Sequence, residues 1–117
     1  MVYWANKLMA NIYKNAFFDL ANTDKTDIYT VPSDSRAIIK TIQANNHAGS
    51  NPELEAFVYD NSATTEYEIS HKVIAAKTFE NMVSGSLILE ENDVLRLQAS
   101  TGGAVEGFVS ILEINRD

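Results

Sequence analysis

SLILEENDVLRLQAS, residues 86–100, sets two apolar runs on either side of a polar corner made by Glu90, Glu91, Asn92 and Asp93. Leu87 and Leu89 share one parity before the corner, and Leu95, Leu97 and Ala99 share one after it. Alternation with a period of two is the pattern of strands that bury one face. The corner holds no residue in a recognisable catalytic setting. The stretch therefore reads as architecture, a solvated hairpin corner joining two core strands.

The same pattern extends in both directions. Downstream, TGGA at 101–104 offers paired glycines for the positive φ of a tight hairpin and leads into a strand over Val105–Ile114. Upstream, short β-type runs alternate with turn chemistry: Ala16–Leu20, Ile28–Val31 stopped by Pro32 and SDS, Arg36–Asn45, Leu54–Tyr59 and Glu66–Ala75. Strict alternation in Arg36–Asn45 puts Ile38, Ile42 and Ala44 on one face with Lys40, and Ile39 with Thr41 on the other. In Glu66–Ala75 it puts Tyr67, Ile69, His71 and Val73 on one side, a half-buried strand. About eight strands with no room for crossover helices between them exclude an α/β fold and imply an all-β chain. The expected architecture is an antiparallel β-sandwich, jelly-roll-like. Its expected core is Ile38, Ile42, Leu87, Leu89, Leu95, Leu97, Val109 and Ile111.

The N-terminus reads differently. Trp4, Leu8 and Ile12 recur every four residues with Ala5 and Met9 beside them, the stripe of a short amphipathic helix. Such a helix is marginal alone, so it needs a surface to pack on. The chain is accordingly divided into an N-terminal arm, 1–15, and a β-sandwich domain, 16–117. Trp4, Leu8 and Ile12 are the expected assembly contacts.

Composition narrows the function. The 117 residues, 45% hydrophobic and 21% charged, suit one globular domain rather than a disordered chain. A net charge of -7, with no basic block to neutralise phosphates, speaks against nucleic acid as a partner. No apolar stretch is long and unbroken enough for a membrane span or a signal peptide, so no membrane partner is expected. With no cysteine, neither disulfides nor thiolate metal sites are available, and stability must come from packing or assembly.

Catalytic chemistry finds little to work with. His47 lies in a Gly/Ser/Asn loop and His71 on a strand, with no ligand partner at i+2 to i+4 of either, so no metal site is expected. Asp24 with Asp27, and Glu90 with Glu91 and Asp93, lack the spaced oxygen ligands of a calcium loop. No serine occupies a nucleophile turn and no glycine-rich loop follows a strand, so no catalytic or cofactor-binding residue is assigned and an enzyme is not expected. A carbohydrate-binding module is the rival, because Trp4, Tyr13, Tyr29, Tyr59 and Tyr67 could stack on sugars; tyrosines in strands are more often half-buried packing.

Three segments together resemble a known group. IYTVPSDSRAIIKTIQANN, SLILEENDVLRLQAS and GAVEGFVSILEI occur in the order found in small virion proteins of tailed phages, frequent in phages of cyanobacteria and marine bacteria. Thr30, Val31 and Pro32 match a strand end and turn; Leu87, Leu89, Glu90 and Asp93 match a central hairpin; Ser110, Glu113 and Ile114 match the closing strand. The likeness spans roughly residues 28 to 114. The group's usual Ala-Gly at the corner is replaced by Glu91 and Asn92, which need not change it because Asn tolerates the left-handed region. The resemblance implies a protein made in the host cytoplasm and carried on the virion. It would be a homotrimer or other symmetric oligomer that decorates or cements the major capsid protein, or a component beside tail, neck or fibre proteins.

Overall fold

The computed structural model describes residues 10–116, and within them every regular element is a strand. These are β1 (Ala10–Asp19), β2 (Thr26–Thr30), β3 (Ser35–Asn46), β4 (Glu53–Asp60), β5 (Thr65–Val73), β6 (Phe79–Asn81), β7 (Leu87–Leu89), β8 (Val94–Ala99) and β9 (Val105–Asn115). Sheet I has the order β1-β9-β3-β6, with β7 also on β3, and sheet II has the order β2-β8-β4-β5. All pairings are antiparallel. Strands β6 and β7 lie in line along the same edge of β3, so the sandwich is four strands wide on each side.

Consecutive strands mostly belong to opposite sheets. The chain passes from sheet I (β1) to II (β2), I (β3), II (β4, β5), I (β6, β7), II (β8) and back to I (β9). This wrapping, with last and first strands side by side, is the jelly roll expected from the sequence. Among the described residues the one two-stranded hairpin is β4–β5. The EEND corner and the TGGA corner are therefore not hairpins: each carries the chain from one sheet to the other, because β7 and β9 pair with β3 while β8 pairs with β2 and β4.

The core fills the space between the sheets. Ile39, Ile42, Leu54, Leu89, Leu95, Leu97, Val109 and Ile111 are buried, and Leu87 is partly buried against them. Ile38 departs from expectation. The register of β3 against β9 slips between Ile39 and Thr41, so a bulge at Lys40 reverses the parity and sends Ile38 outward while Ala37 and Ile39 point in. A second bulge, between Ala56 and Phe57 on β4 and at Ile69 on β5, breaks the expected side of β5: Tyr67, Ile69 and Val73 are all exposed.

The chain's beginning also differs. Ala10 to Lys14 continue β1 as strand rather than helix, since every residue from Ala10 to Asp19 pairs with β9. Ile12 thus lies in the sandwich, opposite Glu113; Trp4 and Leu8 fall outside the described residues. Strand β6, between the expected strands, has only three residues and left no periodic trace in the sequence. Close approach of strands explains one glycine: a Cβ at Gly107 would strike the Gln43 carbonyl oxygen and the Phe18 ring.

Candidate assembly surfaces

The segments that suggested a virion protein meet at one end of the sandwich. The Val31 N–H donates to the Asp93 carbonyl at 3.0 Å and the Asn92 N–H to the Val31 carbonyl at 2.9 Å, joining the TVP corner to the EEND corner. Asn92 adopts φ 66°, the left-handed conformation its side chain tolerates. Glu91 accepts the Asp34 N–H at 2.8 Å. Asp93 is not solvated: it is 6% exposed, with one carboxylate oxygen accepting the Asn61 N–H and the other the Glu90 N–H. These residues clasp two inter-sheet corners together, a structural role.

The third segment supplies a buried carboxylate. Glu113, 3% exposed, points inward from β9 and accepts from the Tyr29 hydroxyl at 2.5 Å and the Lys14 ammonium at 3.3 Å. Burial opposes its ionisation, but those two donors outweigh it and hold its pKa below the ordinary value. Tyr29 is driven upward by burial and by the carboxylate it faces. The cluster seals the side of the sandwich where β1 and β2, the first strands of the two sheets, come together.

The outer faces of the two sheets contrast. On sheet II, Asp27 and Arg96, Glu53 and Glu55, and Glu66, Glu68 and His71 point outward. Arg96 pairs with Asp27 at 2.6 Å and Glu66 at 2.9 Å, and Lys25 also reaches Glu66. The bulge at Ile69 brings Glu68 and His71 onto one face, where His71 Nε2 meets Glu53 at 2.6 Å and Nδ1 lies 3.5 Å from Glu68. A hydrogen bond with Glu68 raises the Glu55 pKa, and the bond to Glu53 raises that of His71. Ligand atoms of Glu55, Glu68 and His71 lie within 4.8 Å of one another, a cluster that spacing along the sequence concealed.

Sheet I presents a different surface. Tyr13, Leu112, Ile38 and Ile88 are direct cross-strand neighbours, an apolar row running the full width of the sheet. A parallel row begins with Phe17 and Phe108, whose ring centroids are 6.4 Å apart. Tyr13 is 80% exposed, Phe17 77% and Ile88 65%. Ile12, on the inward parity of β1, is 41% exposed at the margin of this sheet. The sequence pattern missed the row because only the bulge at Lys40 turns Ile38 toward it.

No known protein family is matched by the sequence, and no curated protein is similar to it at the sequence level. In three dimensions the chain is similar to a subunit of the disulfide-linked pili that form Bacillus endospore appendages, with TM-score 0.56, 15% identity, and 94% of this chain and 89% of that one covered. It is also similar to a chain in the acid-stable capsid of Helicobacter pylori bacteriophage KHP30, with TM-score 0.54, 14% identity, and 94% and 95% covered. Strand order and these matches define the class: a jelly-roll β-sandwich, a fold similar to that of those pilus and capsid chains.

Proposed function

We propose that the chain is a non-enzymatic virion structural protein of a tailed phage, a capsid decoration or cement protein that assembles as a symmetric homo-oligomer on the shell. The observation that carries this reading is the end-to-end match to a phage capsid chain of nearly equal length. The apolar outer face of sheet I and the resemblance of residues 28 to 114 to small tailed-phage virion proteins support it. The pilus alternative is weaker, because a chain with no cysteine cannot form disulfide links of the kind those pili use. Trp4, Leu8 and Ile12 remain the proposed assembly contacts, Ile12 as a residue of β1 rather than of a separate arm. A carbohydrate platform gains no support, since Tyr13 and Tyr67, the tyrosines most open to solvent among the described residues, lie on different sheets.

Quantitative mass spectrometry of purified virions tests the proposal. Hundreds of copies per particle are expected of a shell protein. A few to some tens would move the chain to the tail or neck, and absence from virions would overturn the reading altogether.

A further inference from the structure

A sheet edge left unpaired is a template for another strand, and folded proteins usually blunt it. Three of the four edge positions here are blunted. β2 is five residues long and bulged at Ile28; β5 is bulged at Ile69 and carries Glu66, Glu68 and Lys72; β6 and β7 are three residues each with a gap between them. β1 is the least blunted, since its one cation, Lys14, lies on the inward parity and is paired with Glu113. It runs ten residues in unbroken register with β9, and among the described residues no strand pairs with its other edge.

We propose that β1 is a dimer edge, pairing antiparallel with β1 of a second copy about a two-fold axis at Asn15. An axis perpendicular to a sheet keeps outward side chains outward, so only residues of equal parity can face each other across it. Centred on Asn15, the pairing sets Tyr13 against Phe17 of the second copy, twice. Lys14 then faces Ala16, Ile12 faces Phe18, and Asn11 faces Asp19. The next register, centred on Lys14, would place two ammonium groups opposite each other; the one centred on Ala16 would set Tyr13 against Asp19. Cross-strand aromatic pairs stabilise a sheet and like charges destabilise it, so the Asn15 register is the self-complementary one.

The consequence is a continuous sheet eight strands wide. The row of Tyr13, Leu112, Ile38 and Ile88 of each copy would run across the axis into Phe17 and Phe108 of the other, giving two apolar rows side by side. β1 contributes only Lys14 and Asp19 to the charge of a chain with net charge -7, so the copies meet where repulsion is small. The acidic face of sheet II stays free.

Sedimentation and light scattering of the full chain test this directly, separately from any question of virion location. The wild-type chain is expected at the mass of two copies. Y13E/F17E, which sets Glu against Glu across the axis, is expected at one copy, and Y13E/F17K, which sets Glu against Lys, back at two. Circular dichroism checks that both fold. Because the chain has no cysteine, N15C gives a clean second readout: self-opposed cysteines, roughly 5 Å apart between Cα atoms, are expected to cross-link on oxidation, and T41C on β3 is not. A single-copy mass for the wild type would overturn the proposal and leave the edge to another protein or to residues 1–9. So would an oligomer that N15C fails to cross-link, or one in which the two charge variants behave alike.

Discussion

Tyr29 and Glu113 meet across the interior of the sandwich, the hydroxyl of the first strand of sheet II donating at 2.5 Å to a carboxylate on the last strand of sheet I. A carboxylate so placed is tolerable only while its donors remain. E113A leaves the Tyr29 hydroxyl without its acceptor and Lys14 without its counter-ion, and is expected to cost about 3 kcal/mol in urea unfolding. Y29F removes one charge-assisted bond and is expected to cost about 2 kcal/mol. E113Q, which keeps an acceptor, should cost less than E113A.

The same pair fixes a pH dependence. Glu113 has a folded pKa below its ordinary 4.5, so its contribution is complete above that value and is lost as pH falls through the lowered one. Stability measured by denaturant titration should decline below about pH 4.5 in the wild type, and less steeply in E113Q. Tyr29, raised in the fold, works at the other end: its contribution is complete below 10 and declines as the pH rises above that value.

Asp93 anchors the corner opposite Val31. D93A removes acceptors from two backbone N–H groups, those of Asn61 and Glu90, and is expected to lower stability by about 2–4 kcal/mol. E91A, which loses a single exposed bond to the Asp34 N–H, is expected within about 1 kcal/mol of wild type. Equal effects would refute the distinction between a buried anchor and a solvated neighbour.

Gly107 sits where β9 crosses Phe18 and the backbone of β3. G107A forces a methyl group into the Gln43 carbonyl oxygen and the aromatic ring and should cost about 3 kcal/mol or more. Gly49, with nothing within 4 Å of its absent Cβ, provides the control: G49A should stay within about 0.5 kcal/mol in thermal melts.

His71 gains a partner that its sequence neighbours do not provide. Bonded to Glu53, it should titrate above the ordinary 6.5 in an NMR pH series, and E53Q should bring it back down. An unchanged midpoint in E53Q would show that the other carboxylates around it, not Glu53, hold the proton.

Period-two alternation, turn residues at Pro32 and in EEND and TGGA, and the lack of helix-length segments after residue 15 were enough to define an all-β sandwich and six of its eight expected core positions. These are local properties, set by how a strand alternates and where a chain can bend. Ile38 and the side chains of β5 escaped because a bulge inserts one residue and reverses every side chain beyond it, an event decided by the partner strand. Ala10 to Lys14 escaped for a related reason: a stripe at a spacing of four fits a helix, but pairing along β9 recruited these residues into β1.

The assembly surfaces divide the same way. The sequence by itself determined the strand-forming runs, the two polar corners, the acidic charge and the absence of thiol chemistry. Only the tertiary structure decided that those corners bridge sheets rather than close hairpins, and that Glu113 is buried beneath Tyr29. It also aligned Tyr13, Leu112, Ile38 and Ile88 in one row and left β1 as the least blunted edge. Which strands become neighbours is set by non-local packing of the two sheets, and a strand's own residues do not encode it.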